Sequence, residues 1–260
     1  MTGKEADDVG GAERNARKKK QEQRAVKAVA SARGAKNDRS KVVIGVVVVV
    51  VLALAVIGGV IWTKSDSANG ALSPPPDVTG VSAPIKREGA VVVVGKDTAK
   101  ATIDLYEDFL CPACKQFKKI YGAQIKQEIE KGTLRVRYHA LPFLVRLSDP
   151  PGYSKDSANA ALCAADQGKF WEYHETLFAK QPDEGGPGHT KQELVKLGTD
   201  LGITGDAFKT CVDNDTYDKD TQAELDKVRG MSFFEGTPSV AVGDQKIDVR
   251  EEDWLTNLVK

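Results

Sequence analysis

A run of 21 residues without a charged side chain, from Val42 to Trp62, constrains this 260-residue chain more than any other feature. As an α-helix the run would measure about 31 Å, which matches the hydrocarbon core of a bilayer. Valine favours strands, but only a helix satisfies all of its own backbone groups inside lipid. A buried core helix and a cleavable signal peptide are the alternatives, and the run is longer than is usual for either. We therefore predict a retained transmembrane helix over residues 42–62.

Charge is distributed unequally around this run. Residues 1–41 hold twelve Lys and Arg against six Asp and Glu, whereas the whole chain holds 37 of each kind. Basic flanks stay on the cytoplasmic side, so we predict a cytoplasmic tail over residues 1–41 and an extracytoplasmic C-terminal part. The tail has no aromatic residue on which a base could stack. Its composition favours disorder and attraction to anionic lipid, and we expect no nucleic-acid binding.

The part that follows the run divides into a linker and a folded domain. Residues 63–88 are rich in Ser, Gly and Pro, with three consecutive prolines, and are predicted to be a tether with a stiff polyproline section. Residues 89–260 have the hydrophobic periodicity of a packed domain. The predicted elements are strands over 90–95 and 101–109, a helix from Pro112 to Gly132, a strand over 134–141, a helical block over about 151–231, and a hairpin that turns at Gly243 and Asp244 before a closing helix.

Two sequence patterns predict helix starts within this domain. Thr190 with Glu193, and Asp248 with Glu251, have the spacing of a capping box, in which the two side chains satisfy free backbone N–H groups at a helix N-terminus. The first pair predicts a helix within the helical block, and the second predicts the start of the closing helix.

The cysteines indicate the chemistry. All four follow the apolar run, at Cys111, Cys114, Cys163 and Cys211, and an even number on the exported side fits an oxidising compartment. The sequence Cys-Pro-Ala-Cys lacks the following histidine of a haem attachment site, because Lys115 stands there. A zinc site needs about four ligands, and the other cysteines and the three histidines show no ligand spacing. We therefore expect no metal and no cofactor.

A fixed structural bridge and a pair of exchanging thiols remain as explanations of the Cys-Pro-Ala-Cys sequence. Cys111 is predicted to lie where a strand ends and a helix begins, and free N–H groups and the positive end of the helix dipole favour a thiolate there. Cys114 is one helical turn further on and can close a disulfide with Cys111. We therefore predict that Cys111 is a catalytic nucleophile and that Cys114 is the resolving thiol.

The order of elements, the Cys-Pro-Ala-Cys sequence, the run Gly-Lys-Phe-Trp-Glu-Tyr-His over 168–174 and a later Thr237-Pro238 together resemble the DsbA-like disulfide oxidoreductases. The resemblance covers about Ala90 to Lys260. It implies an α/β thioredoxin fold with an inserted helical domain, preceded here by the one transmembrane helix.

The resemblance also implies further site residues. In the family the bond between the residues at Thr237 and Pro238 is cis and packs against the cysteines, so Pro238 is a candidate catalytic residue. Thr237 and Pro238 are candidates for binding an extended client, which would pair with the backbone as an added strand. The family keeps a buried acid six residues before the first cysteine, where this chain has Leu105. Glu107 lies two residues later on the same strand face and is the candidate for proton transfer. The alternative is that Glu107 and its neighbour Asp108 are solvent-exposed.

Cys163 and Cys211 lie in separate helical segments of the predicted insert. On the oxidising side of a membrane we predict that they form a structural disulfide, with two free buried thiols as the alternative. Closing a loop of this size would contribute roughly 4 kcal/mol in the chain-entropy model.

The predicted function is that of a membrane-anchored, extracytoplasmic thiol-disulfide oxidoreductase that introduces disulfide bonds into exported proteins. The expected partners are reduced exported polypeptides and a membrane reoxidase that resembles DsbB or a vitamin-K-epoxide reductase. Ala113 stands where DsbA has a histidine, which predicts a less oxidising couple than that of DsbA. The alternatives are a disulfide isomerase or reductase of the same fold, and a noncatalytic membrane-tethered module that binds peptides.

Overall fold

The structure is a computed structural model that describes residues 72–260. The predicted cytoplasmic tail, the predicted transmembrane helix and the first part of the predicted linker lie outside these residues. Within residues 72–260, no helix combines the length and the apolar character that crossing a membrane requires.

A six-stranded sheet forms the centre of the domain. The strands are β1 (Ile85–Glu88), β2 (Val91–Val94), β3 (Ala101–Glu107), β4 (Leu134–Ala140), β5 (Ser239–Val242) and β6 (Gln245–Lys246). Their order across the sheet is β1-β2-β4-β3-β5-β6, with β3 and β4 parallel and every other neighbouring pair antiparallel. A parallel pair needs a crossover connection, and helix α1 (Pro112–Lys131) provides it between β3 and β4.

Helix α1 has the start and stop signals that the sequence predicts. Pro112 occupies its first turn, where a missing N–H costs nothing. Gly132 ends the helix in the left-handed conformation with φ 80°, and its N–H donates to the carbonyl oxygen of Ile129. Phe117, Ile125 and Ile129 are buried along one side and pack into the main core between the sheet and the helices.

The helical insertion lies between β4 and β5. Its helices are α2 (Tyr153–Asp166), α3 (Phe170–Ala179), α4 (Lys191–Asp200), α5 (Asp206–Asp213) and α6 (Asp218–Arg229), and the closing helix after the sheet is α7 (Trp254–Val259). Helix α2 is buried over most of its length, and four of its five alanines are at most 1% exposed to solvent. The predicted disulfide is confirmed: Cys163 of α2 is bonded to Cys211 of α5. The thioredoxin-like α/β fold with a helical insertion is confirmed as well.

The predicted capping boxes have different outcomes. At α4 the prediction is confirmed, because Glu193 N donates to Thr190 Oγ1 at 3.2 Å and Thr190 N donates to Glu193 Oε2 at 2.7 Å. At α7 it is wrong, because the helix begins only at Trp254. The carboxylate of Asp248 is instead occupied by the backbone N–H and the guanidinium of Arg250, at 3.0 and 2.8 Å.

The predicted end of the linker at residue 88 is also wrong, because strand β1 begins at Ile85. Leu72 is only 2% exposed and belongs to the main core, and Val81 and Ala83 pack against the same core. From Val81 to Ile85, every second side chain is apolar, and this period of two places these side chains on one side of an extended segment. The Pro-rich composition predicts a free tether, whereas the side chains of this segment are held by tertiary packing.

Candidate active site

The two cysteines of the Cys-Pro-Ala-Cys sequence lie at the N-terminus of α1, at the point where β3 ends. Cys111 is the N-cap residue, with extended backbone angles of φ −71° and ψ 116°. Its carbonyl oxygen accepts the N–H groups of Cys114 and Lys115 at 3.1 and 3.2 Å, which closes the first helical turn. Both cysteines are free thiols and are 6% and 2% exposed, respectively. The strand-to-helix junction therefore leaves Cys111 slightly more accessible to solvent than Cys114, although both are buried.

Thr237 and Pro238 lie against Cys111. Because β5 pairs with β3, with Ser239 opposite Tyr106, the residues just before β5 lie beside the end of β3. The Thr237–Pro238 peptide bond is cis, as the family resemblance predicts. The thiol of Cys111 donates to the carbonyl oxygen of Thr237, with the sulfur 3.2 Å from that oxygen. The structure thus brings together residues that are 126 positions apart in the sequence.

The two thiols differ strongly in acidity. The pKa of Cys111 is lowered from 9.0 to about 7, first by a hydrogen bond from the Cys114 thiol. Burial opposes this change, and the side chain of Thr237 assists it. Burial raises the pKa of Cys114 well above its ordinary value, and the neighbouring Cys111 adds to the increase. Near neutral pH the site therefore holds one thiolate, on Cys111, and one thiol, on Cys114.

Glu107 and Asp108 are both buried, at 3% and 0% exposure, so the interpretation of these residues as solvent-exposed is wrong. The Glu107 carboxylate faces the interior, where its Oε1 lies 2.5 Å from Nε2 of His174 on α3. The charge of Glu107 is one of the influences that raise the pKa of Cys114. The sequence-predicted proton-transfer residue therefore lies close enough to Cys114 to affect its ionisation.

Asp108 connects three parts of the chain around the cysteines. Its Oδ1 accepts the N–H of Leu110 at 2.8 Å and the hydroxyl of Ser154 at 2.9 Å, and its Oδ2 accepts the N–H of Leu144 at 2.8 Å. Burial raises the pKa of Asp108 to about 6, although these hydrogen bonds oppose the change. The same carboxylate thus fixes the turn before Cys111, the loop after β4 and the start of α2.

Sequence reasoning does not identify two further residues at the site. Gln181 is 5% exposed, and its Nε2 donates to the carbonyl oxygen of Cys111 at 2.9 Å. His174 is fully buried. The sequence signals for His174 are its place in the run over 168–174 that resembles the DsbA-like family and its position four residues after Phe170 on the apolar face of α3, and both also fit core packing. Gln181 follows the end of α3 and carries no signal of its own.

Comparison with known proteins identifies the family. A family model described as Thioredoxin matches residues 87–260, which is more than half of the chain. The chain belongs to the thioredoxin family. It is 30% identical to "Disulfide bond formation protein D" of Bacillus subtilis over 197 residues, which is 71% of this chain and 77% of that protein.

Two solved structures extend this assignment within the thioredoxin family. DsbA from Mycobacterium tuberculosis in its reduced form matches with a TM-score of 0.53 and 25% identity, over 62% of this chain and 85% of that one. The MdbA protein of Corynebacterium diphtheriae, a thiol-disulfide oxidoreductase, matches with a TM-score of 0.60 over 70% of this chain and 96% of that one. At 23% identity the second likeness shows a shared fold. This thioredoxin-family chain is a DsbA-like thiol-disulfide oxidoreductase.

Proposed function

We propose that this protein introduces disulfide bonds into exported polypeptides by exchange at Cys111 and Cys114. The observation that carries the proposal is the difference in acidity between two thiols one helical turn apart, with the pKa of Cys111 near 7 and that of Cys114 raised by burial. A stabilised Cys111 thiolate is a good leaving group and favours the reduced form of the site, which makes its disulfide an oxidant.

The reaction begins with the Cys111–Cys114 disulfide. A client thiolate attacks Sγ of Cys111, the bond to Cys114 breaks, and Cys114 leaves with the electron pair and takes up a proton. A second client thiolate then attacks the client sulfur of the mixed disulfide and releases Cys111 as a thiolate. Two electrons pass from the client to the protein, and the client gains one disulfide bond.

We assign the client-binding role to the backbone at Thr237 and Pro238. This segment lies beside Cys111 and leads directly into β5, so an extended client chain can pair with it as an added strand. The aromatic side chains of Tyr106, Phe143 and Phe234 lie in a second hydrophobic cluster beside this segment, and Phe143 and Phe234 are only partly buried. The rings of Phe143 and Phe234 offer apolar contact to an unfolded client.

We further propose that residues 42–62 anchor the catalytic domain to the cell membrane, with residues 1–41 in the cytoplasm. The uncharged run, the basic residues that precede it and the disulfide in the domain support this orientation. A membrane protein that resembles DsbB or a vitamin-K-epoxide reductase would take the two electrons and restore the Cys111–Cys114 disulfide.

The test uses the full chain in detergent, oxidised and mixed with a reduced, unfolded client that needs disulfide bonds for activity. We expect stoichiometric loss of the Cys111–Cys114 disulfide as the client gains its own. In a second arm the same client carries its disulfide bonds: the Cys111 thiolate of the Cys114→Ala variant should open one of them and accumulate as a mixed disulfide, and Cys111→Ala should accumulate none. Faster turnover of a scrambled client than of a reduced one would instead identify an isomerase.

The membrane orientation is tested separately in intact cells. A membrane-impermeant thiol reagent should label Cys111 of the reduced protein from outside. Labelling only after the cells are broken would contradict the extracytoplasmic assignment and leave the chemistry untouched.

A further inference from the structure

His174 is confined in the interior beside Glu107, the last residue of the strand that leads to the cysteine pair. Four aromatic rings surround its imidazole, with ring centroids 4.9 to 5.6 Å away: Phe109, Tyr138, Phe170 and Phe178. The side chain is 0% exposed. A histidine enclosed in this way keeps one orientation, so its two nitrogens face fixed partners.

Each of the two nitrogens faces a carboxylate. Nε2 lies 2.5 Å from Oε1 of Glu107 on β3, and Nδ1, which makes no hydrogen bond within residues 72–260, lies 3.5 Å from Oε1 of Glu175 on α3. Burial disfavours the imidazolium, but the charge and the hydrogen bond of Glu107 outweigh it and raise the pKa of His174. The ring therefore carries protons on both nitrogens more readily than a histidine in water.

The carboxylates connect this imidazole to helix α1 on two sides. Glu107 acts on Cys114, whose pKa it raises, and Glu175 forms an ion pair with Lys118. Cys114 and Lys118 are four residues apart and lie on the same face of α1. Tyr138 is the remaining titratable side chain against the ring, and burial raises its pKa well above the ordinary value, so it stays neutral. These side chains form a set that runs from Cys114 through Glu107, His174 and Glu175 to Lys118, in which the first link is electrostatic and the other three are contacts.

The exchange reaction at the cysteines requires a proton at Cys114. When the Cys111–Cys114 disulfide opens, Cys114 becomes a buried thiolate, which burial strongly disfavours. When the disulfide reforms, the Cys114 thiol must lose the same proton. A nearby group that gives and then recovers one proton serves both half-reactions.

We propose that His174 is this proton store and acts on Cys114 through Glu107, which makes it a positioning residue for the exchange reaction proposed above. In disulfide opening, the imidazolium gives its Nε2 proton to Glu107, and Glu107 protonates the Cys114 thiolate. The ring is left neutral, with its proton on Nδ1. In reoxidation the Cys114 proton returns by the same route to Nε2. The ring never has to rotate, which agrees with its enclosure by four aromatic side chains.

Glu175 and Lys118 set the charge around the store. Glu175 faces Nδ1 and favours the proton that stays on the ring, while Lys118 offsets the negative charge of Glu175. The side chains of Glu175 and Lys118 are 23% and 16% exposed, so this end of the set is the one that reaches solvent.

The decisive variant is His174→Gln, because glutamine can still donate to Glu107 but cannot hold a transferable proton. The matched control is His189→Gln, because His189 donates to the carbonyl oxygen of Lys180 and takes no part in the set. With the oxidised full chain and dithiothreitol, we expect His174→Gln to slow disulfide opening at least about tenfold, since positioned proton transfer contributes roughly 10²–10⁴-fold. The control should open at the wild-type rate.

A second readout is independent of any oxidase activity. In the reduced protein, the carbon-13 shift of Cys114 Cβ should follow the titration of His174 in the wild type and lose that inflection in His174→Gln. The rate of alkylation at Cys111 should not change in the variant. Glu107→Gln should slow disulfide opening as much as His174→Gln does, and the double variant should be no slower than either, because both residues act in one step.

Wild-type opening rates and an unchanged Cys114 titration in His174→Gln would overturn the proton store, whether or not the protein oxidises clients. A wild-type protein that opens with dithiothreitol in this pH-dependent way but oxidises no client would refute the proposed function and leave the proton store standing. If His174→Gln does not fold, a wild-type opening rate in Glu107→Gln still overturns the proton store, because the carboxylate is its obligatory link to Cys114.

Discussion

Asp108 makes the stability of the domain depend on pH in an unusual direction. In the folded protein its pKa is raised from 3.8 to about 6, because burial of the carboxylate outweighs its hydrogen bonds. At pH values between 3.8 and about 6, the folded protein therefore keeps this proton on Asp108, whereas the unfolded chain has released it. The stabilising contribution of protonated Asp108 is complete below pH 3.8 and is lost as the pH rises through about 6.

The size of this contribution follows from the shift. A shift of about two pKa units corresponds to roughly 3 kcal/mol, since each unit is worth about 1.4 kcal/mol. Asp108→Asn removes the ionisation and, at every pH, also the hydrogen bonds that the carboxylate makes. The difference in free energy of unfolding between the variant and the wild type should therefore shift in favour of the variant by about 2–3 kcal/mol between pH 4 and pH 7.5.

The assay is urea denaturation of both proteins at several pH values, with the Cys163–Cys211 disulfide intact. Asp104→Asn is the matched control with the opposite sign. Burial raises the pKa of Asp104, but the hydrogen bond and charge of His139, with Arg137, outweigh it and lower the pKa. The contribution of Asp104 is present above its unfolded pKa of 3.8 and is lost as the pH falls. The Asp104→Asn variant should lose stability relative to the wild type as the pH rises. If the free energies of unfolding of Asp108→Asn and the wild type instead change in parallel with pH, the reasoning is refuted.

Three further predictions concern stability and the site. Replacing Cys163 and Cys211 by Ala should lower the free energy of unfolding by about 4 kcal/mol, as measured by urea denaturation, because the bridge spans 48 residues. In the same assay Gly198→Ala should cost about 1–3 kcal/mol, because a Cβ there overlaps the ring of Phe208, whereas Gly122→Ala meets only the flexible Lys118 side chain and should gain up to about 1 kcal/mol. Thr237→Val should raise the pKa of Cys111, measured by thiolate absorbance, because it removes the assisting hydroxyl; an unchanged value would exclude that role.

The hydrophobic periodicity, the Cys-Pro-Ala-Cys sequence and the terminal glycine of α1 are local signals, and they suffice to predict the strands, the crossover helix and the position of Cys111. The disulfide partner of Cys163 was predictable because only one other cysteine lies outside the Cys-Pro-Ala-Cys sequence. Thr237 and Pro238 could be placed beside the cysteines only through a family resemblance, because pairing between β3 and β5 is a long-range contact.

The surroundings of the acidic residues could not be predicted from the sequence. Glu107 and Asp108 look like an exposed acidic pair, and their burial depends on α2 and α3 packing over the end of β3. His174 lies on the apolar face of its helix, where a core role and a role beside a carboxylate have the same periodicity. The role of such a side chain depends on tertiary contacts with residues 46 to 67 positions away.

The measurement that tests the central claim most directly is the pKa of Cys111 in the reduced protein, obtained from the rate of alkylation at that sulfur against pH, with Cys114→Ala as a variant. A titration near pH 7 in the wild type, shifted upward when the hydrogen bond from Cys114 is removed, is the expected result. A titration near 9 in both proteins would mean that the N-terminus of α1 does not stabilise a thiolate, and the proposed oxidation of client proteins would then lose its chemical basis.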